Sequence, residues 1–222
     1  MKNRWKISYK TLLASAAIML AGQMQGAQPA QPKARDAALD DMTFIEMLNS
    51  VDLGKQSELI QKFQLKEGKN RLLNGKYNPK GECTVENYRN REVLLITIPA
   101  HLLFGPNETE LKPGAANDYL APIRRYLKDP DMYRVLLVMH TDNTGSDEYR
   151  DILTEERVDE IFDWFEKTGS DTRYLFSYAM SDEMPLVSNT SLDNRDKNRR
   201  LEIYLMPGKK MLEQAKRGRI TF

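Results

Sequence analysis

Residues 135–165, VLLVMHTDNTGSDEYRDILTEERVDEIFDWF, join a predicted buried strand to a predicted long helix. The apolar run ends at Asp142, and the turn-forming residues NTG follow it. Ser146 is placed to cap the helix, and Asp147 and Glu148 put negative charge at the positive end of the helix dipole. A strand, a turn and a helix in this order are typical of a sheet with helices packed against it.

The predicted helix carries an apolar stripe with one charged residue inside it. The apolar members recur at steps of four or eight, and they are Tyr149, Leu153, Ile161 and Phe165. Arg157 occupies the missing step, where a guanidinium is costly unless it is paired or reaches solvent through a cleft. Asp142, at the end of the strand before this helix, is the natural neighbour. The two residues therefore predict either a structural ion pair or a site for a ligand of opposite charges.

The rest of the chain supplies the other elements of this layer. Three further strands are predicted from apolar, β-branched runs: EVLLITIPA (92–100), RYLFSYAM (173–180) and RRLEIYLMP (199–207). Residues 115–131 predict a helix that Pro122 could kink. Two short amphipathic helices, broken near Gly54, precede the first strand. The sequence therefore predicts an α/β sandwich, in which one mixed four-stranded sheet carries helices packed on it.

The amino-acid composition excludes several classes of partner and binding site. Among 222 residues, 33 are Lys or Arg and 32 are Asp or Glu, so no net field attracts nucleic acid or an anionic membrane. Cys83 is the single cysteine, which excludes an internal disulfide, and the two histidines stand in no zinc-binding spacing. We expect no metal and no cofactor.

The first 27 residues have the order of a secretory signal peptide. Basic residues come first, an apolar stretch follows over residues 12–21, and small and polar residues end the segment. The apolar stretch is about half of the roughly 20 residues that span a bilayer. Gln23 stands where a lipoprotein would need a cysteine. We expect an exported periplasmic protein without a membrane span, with a linker and short helices over 28–91, the main domain over 92–207 and a basic tail over 208–222.

Residues 140–157, HTDNTGSDEYRDILTEER, resemble the central motif of OmpA-like peptidoglycan-binding domains. LLFGPNETEL (102–111) resembles the motif of this family at a strand end, and NRRLEI (198–203) resembles its terminal motif. Arg150 departs from the pattern, because the family has an asparagine there. The resemblance covers roughly residues 92–207. It implies a β-α-β-α-β-β domain that is not an enzyme.

The resemblance also implies a ligand and the residues that hold it. Domains of this family grip the amino-acid end of diaminopimelate in the peptidoglycan stem peptide. The family's aspartate aligns with Asp142, which would accept from the ammonium, and its arginine aligns with Arg157, which would clamp the carboxylate. Further ligand-binding positions that follow from the resemblance are Asn107, Thr141, Asn143, Asn198 and Arg199. Wall binding of this kind would anchor an envelope component.

Two other functions compete with wall binding. His140 shares one side of the pleat with Asp142, as an enzyme could require, but a packed strand residue is the interpretation we favour. Alternatively, the fold has lost its ligand and serves as an interaction module. Residues 41–65 would then dock on an outer-membrane or periplasmic protein, unless their apolar faces pack on their own domain. Loss of wall binding predicts an Asp142–Arg157 pair closed on itself, with no cleft.

Overall fold

The computed structural model describes residues 37–73 and 81–222, which build a mixed sheet with helices on both faces. The strands are β1 (Thr84–Tyr88), β2 (Val93–Pro99), β3 (Tyr133–His140), β4 (Leu175–Ala179) and β5 (Arg200–Pro207). Their spatial order is β1-β2-β5-β3-β4. β3 and β4 run parallel, and the other neighbouring pairs are antiparallel. The predicted α/β architecture is confirmed.

Among the described residues the sheet has five strands, where the sequence predicts four. The additional strand, β1, forms a hairpin with β2 and pairs Tyr88 with Val93. Its sequence, TVENY, is polar, and four of its five residues are exposed. An edge strand of this kind buries too little apolar surface to show the alternating pattern by which strands are predicted.

In the part of the chain that the structure describes, six α-helices connect or cover the strands. They are α1 (Phe44–Asn49), α2 (Ser57–Glu67), α3 (Ala100–Leu103), α4 (Asp147–Lys167), α5 (Leu192–Asn198) and α6 (Lys209–Lys216). The helix predicted over 115–131 is irregular, with a π turn at Ala116–Leu120 and a 3-10 segment at Ala121–Leu127. Pro122 lacks the N–H that an α-helix interior needs, which accounts for the change of helix type.

The amino-terminal helices belong to the same core as the sheet. Phe44 of α1 is buried, and its ring packs on Tyr178 of β4 and Tyr204 of β5, with centroid distances of 5.7 and 5.2 Å. On the opposite sheet face, Tyr133 of β3 packs on Tyr126, with a centroid distance of 5.0 Å. The apolar faces of residues 41–65 therefore pack on their own domain, as one of the two interpretations predicts.

The structure describes the carboxyl-terminal end of the chain but not the first 36 residues. The predicted signal peptide, residues 1–27, lies outside the described residues. The predicted basic tail begins with α6, which buries Met211 and Ala215 against the domain. Over residues 37–73 and 81–222, no helix has both the length and the apolar composition required to cross a membrane.

Candidate functional site

A cleft of about 350 Å³ lies beyond the end of β3, between the turn into α4, the loop after α3 and the end of α5. Among its lining residues are Asn107, Thr141, Asp142, Arg157 and Arg199, which are five of the seven predicted site residues. They come from three separate parts of the chain. The fold therefore brings most of the predicted site together.

Two groups, one in the turn and one at the end of α5, hold Asp142 in place. Its Oδ1 accepts a hydrogen bond from the backbone N–H of Thr144 at 2.7 Å, and its Oδ2 is paired with Nη1 of Arg199. Only 3% of Asp142 is exposed. Burial alone would raise the pKa of this carboxyl, but the bonds from Thr144 and Arg199 outweigh burial and lower the pKa below its usual value. Asp142 is therefore a carboxylate at neutral pH.

Arg157 is anchored by the backbone of the loop that follows α3. Its Nε donates to the carbonyl oxygen of Glu108 at 2.8 Å, and its Nη2 donates to that of Gly105 at 3.1 Å. The guanidinium lies over the ring of Phe104, 4.9 Å from the centroid. Burial lowers the pKa of Arg157, and the nearby charge of Arg199 lowers it further. An arginine still remains charged at any physiological pH.

Asp142 and Arg157 do not form the closed ion pair that one interpretation predicts. Asp142 is bound by Arg199, and Arg157 is bound by two neutral carbonyl groups. Within residues 37–73 and 81–222, Nη1 of Arg157 has no hydrogen-bond partner. A carboxylate and a guanidinium thus face one cleft, and each retains capacity for a ligand.

Asn107 and Thr141 also line the cleft. Asn107 has a left-handed backbone with φ of 59°, which asparagine tolerates better than most residues. Its Oδ1 accepts a hydrogen bond from the hydroxyl of Tyr149 at 3.0 Å, which joins the loop to α4. Thr141 is buried, and its backbone N–H donates to the carbonyl oxygen of Ser181 at 2.8 Å.

Two predicted site residues do not line the cleft. Asn143 is exposed, and Asn198, the last residue of α5, is fully buried and lies outside the cleft lining. The Nδ2 group of Asn198 donates to the carbonyl oxygen of Val187 at 2.8 Å and to Oδ1 of Asn189 at 2.7 Å. Its Oδ1 accepts from the N–H of Leu186 and from that of Val187. Because these bonds use the whole amide, Asn198 holds the loop before α5 in place.

Arg150, the departure from the family pattern, ties the turn before α4 to the loop after β4. Its Nε donates to Asp182 at 2.9 Å, its Nη1 to the carbonyl oxygen of Gly145 at 2.6 Å, and its Nη2 to Asp147 at 2.6 Å. Gly145 has φ of +88° at this turn, a conformation that favours glycine. Arg150 therefore fixes the segment that follows Asp142.

His140 belongs to a buried cluster on the sheet face that α1 covers. We define this sheet-face cluster by its four members, His140, Arg200, Glu202 and Tyr204. Glu202 accepts from Arg200 at 2.7 Å and from Tyr204 at 2.7 Å, and lies 3.3 Å from Nε2 of His140. Burial lowers the pKa of His140, although Glu202 opposes that effect. His140 is thus a packed strand residue, as we favour from the sequence.

Sequence reasoning missed part of the cleft rim. His101, Lys112 and Asp196 line the cleft, and Asp196 accepts from Nη2 of Arg199 at 2.9 Å. The spacing of Asp196 and Arg199, three residues apart at the end of α5, is the signal that could have found this pair. His101 and Lys112 show no such signal, because His101 lies within the short helix α3 and Lys112 reaches the rim through the loop after it.

Comparison with known proteins supports the resemblance. Residues 103–199 match the sequence model described as the OmpA family. A Pseudomonas aeruginosa protein named "Outer-membrane lipoprotein YfiB" is 31% identical over 47% of this chain and 61% of its own length. An Escherichia coli protein named "Probable lipoprotein YiaD" is 26% identical over 54% of each chain. The chain thus spans a little over half of the length of these two relatives.

Solved structures show the same fold. A MotB-like protein from Desulfovibrio vulgaris superposes with a TM-score of 0.58 at 22% identity, over 68% of this chain and 98% of the other. The periplasmic domain of Helicobacter pylori MotB (residues 90–256) superposes with a TM-score of 0.51 at 21% identity, over 64% and 91% of the two chains.

Proposed function

From the match of residues 103–199 to the OmpA family model, we propose that this chain carries an OmpA-like domain that binds peptidoglycan non-covalently. The ligand is the amino-acid end of diaminopimelate in the stem peptide, and binding anchors an envelope component to the wall. The names of the lipoprotein relatives support a place in the cell envelope. Export by a cleaved signal peptide into the periplasm belongs to the same proposal.

One observation carries this proposal: Asp142 and Arg157 face the same cleft without being paired to each other. An amino-acid end has an ammonium and a carboxylate on one carbon, so it requires one protein group of each sign a few Å apart. The ammonium would be bound by Asp142, and the carboxylate would be bound by Nη1 and Nη2 of Arg157. Both protein groups are charged before the ligand arrives, so no proton has to move on binding.

Other residues that line the cleft would support binding of the ligand. Thr141 and Asn107 supply polar groups on the two sides of the zwitterion, and Tyr149 orients Asn107. Phe104 lies under the guanidinium of Arg157 and excludes water from that side. We assign no reaction to the site, because binding of this kind needs charge and shape but no bond cleavage.

Interaction with a protein alone is the second candidate function. It would draw on residues 41–65, but their large apolar side chains Phe44, Met47, Leu48 and Ile60 are already buried. Ile45 and Leu65 remain exposed and are too few for a standard docking face. The open cleft favours wall binding over this alternative.

Calorimetric titration tests the proposed function. The purified protein and its Arg157→Ala variant are titrated with meso-diaminopimelate and with a stem tripeptide that contains it. We expect saturable binding by the wild type that disappears in the variant. Absence of binding by a folded wild-type protein would overturn the proposal and turn attention to protein partners.

A further inference from the structure

Arg199 interacts with both of the groups that we assign to the ligand. Its Nη1 is paired with Asp142, and its Nη2 donates to Asp196 at 2.9 Å. Its charge also acts on Arg157, since it disfavours the charged form of that residue. Arg199 thus occupies the acceptor that a ligand ammonium would use.

The charges around the cleft are unequal. Lys112, Arg157 and Arg199 contribute three positive charges, and Asp142 and Asp196 contribute two negative charges. One of the two carboxylates, Asp196, is directed at Arg199 and lies nearly half exposed at the rim. A cation that reaches Asp142 therefore meets the guanidiniums of Arg157 and Arg199 beside a single buried carboxylate, while Glu108, which also acts on Arg157, is exposed and outside the cleft lining.

We propose that Arg199 is a specificity-determining residue, which competes with the ligand ammonium for Asp142 and so excludes a plain amine. This inference rests on the proposed wall binding, and it names the feature by which the cleft selects its ligand. A plain amine, such as the end of a lysine side chain, would only replace the guanidinium of Arg199 at Asp142 by an ammonium. This exchange of one cation for another would provide no net binding free energy. The ammonium would also lie between the guanidiniums of Arg157 and Arg199.

An amino-acid end changes this balance through its carboxylate. The carboxylate binds Arg157 and brings a negative charge next to Arg199, while Asp196 continues to hold Nη2 of Arg199. When Arg199 is displaced, Asp142 binds the ligand ammonium instead. Arg199 then has Asp196 and the ligand carboxylate as neighbouring negative charges. The cleft therefore binds a ligand that carries both charges and rejects one that carries only the positive charge. Repulsion by the two guanidiniums contributes to this specificity as much as attraction does.

The decisive experiment compares two ligands on three proteins. The ligands are meso-diaminopimelate and Nα-acetyl-L-lysine amide, whose only charged group is the ε-ammonium. The proteins are the wild type, Arg199→Met and the control Lys197→Met, which removes one positive charge from an exposed position of the same helix. We expect Arg199→Met to bind the amine at least about tenfold more tightly than the wild type, and Lys197→Met to match the wild type.

A second variant separates charge from shape. Arg199→Gln keeps a hydrogen-bond donor but removes the charge, so it should also gain amine binding. The inference is overturned if amine affinity is unchanged or weaker in both folded variants. Failure of the wild type to bind diaminopimelate would overturn wall binding instead, while the amine titrations still decide the part played by Arg199.

Discussion

Arg157 and Asp142 face one cleft from consecutive elements of the chain, yet each is anchored by a partner far from both in sequence. Arg157 is held by the carbonyl groups of Gly105 and Glu108, and Asp142 is held by Arg199. Because the two charged groups do not neutralise each other, the fold itself sets their separation. A ligand with both charges then has only to displace Arg199 from Asp142.

Removal of either charged group should abolish wall binding. We expect Asp142→Ala and Arg157→Ala each to weaken binding to purified peptidoglycan by at least about thirtyfold, because truncation of one partner in a buried charged contact costs about 2–5 kcal/mol. Sedimentation of the protein with wall sacculi measures the effect. Lys197→Met, outside the cleft, should sediment like the wild type. A folded variant at either cleft position that binds as well as the wild type would show that the assignment of the pocket is wrong.

The packing of α1 on the sheet should contribute strongly to stability. Phe44 is 2% exposed and touches two aromatic rings, so Phe44→Ala should lower the free energy of unfolding by about 3–5 kcal/mol. The neighbouring Ile45 is 45% exposed, and Ile45→Ala should cost less than about 1 kcal/mol. Urea denaturation measures both. Similar effects of the two substitutions would mean that α1 is not part of the cooperative unit.

Arg150 and Asp182 should be coupled in their effect on stability. Their side chains are 12% and 25% exposed and lie 2.9 Å apart, so the pair is partly shielded from water. A double-mutant cycle with Arg150→Ala and Asp182→Ala should give a coupling energy of about 1 kcal/mol, measured by urea denaturation. Arg150→Ala alone should cost more than Asp182→Ala, because it also loses bonds to Gly145 and Asp147. A coupling energy near zero would contradict this geometry.

The sheet-face cluster should make stability depend on acid pH. Burial raises the pKa of Glu202, but His140, Arg200 and Tyr204 outweigh burial and lower it to about 2, from an ordinary value of 4.5. Because the folded pKa is the lower one, this stabilisation is complete above about pH 4.5 and is lost as the pH falls toward 2. The loss is on the order of 3 kcal/mol, at roughly 1.4 kcal/mol per pKa unit.

The matched variant for this prediction is Glu202→Gln. It should be less stable than the wild type at pH 7, because Arg200 keeps a buried charge without its carboxylate. Between pH 4.5 and 2 its unfolding free energy should change less than that of the wild type. Chemical denaturation at a series of pH values measures both curves, and parallel curves would count against the assigned role of Glu202.

Strong periodic signals in the sequence predicted the centre of the molecule. β3 and β5 are apolar runs, and α4 begins at its Ser146 cap with Leu153, Ile161 and Phe165 buried along one face. Arg157 was recognisable because it interrupts that stripe, and it is indeed buried. Local patterns are reliable here because each element buries enough apolar surface to need them.

Contacts between residues that are distant in sequence could not be predicted from such local patterns. The residue that binds Asp142 is Arg199, 57 positions later, and no local spacing joins the two. The carbonyl groups that hold Arg157 belong to a loop whose path depends on the whole fold. For Asn198 the resemblance named a position near the site, but only the structure shows that its amide is used by the loop before α5.

The cleft and the entry of the chain lie at opposite ends of β3. Asp142 follows the last residue of this strand, whereas Leu39 lines a groove with Asp131 and Arg134 at the strand's beginning, about 25 Å away. A force between a wall ligand and the segment before Ala37 would therefore run along the strands. Under the proposed wall binding, tension between the wall and the amino-terminal segment would be carried along the length of the sheet.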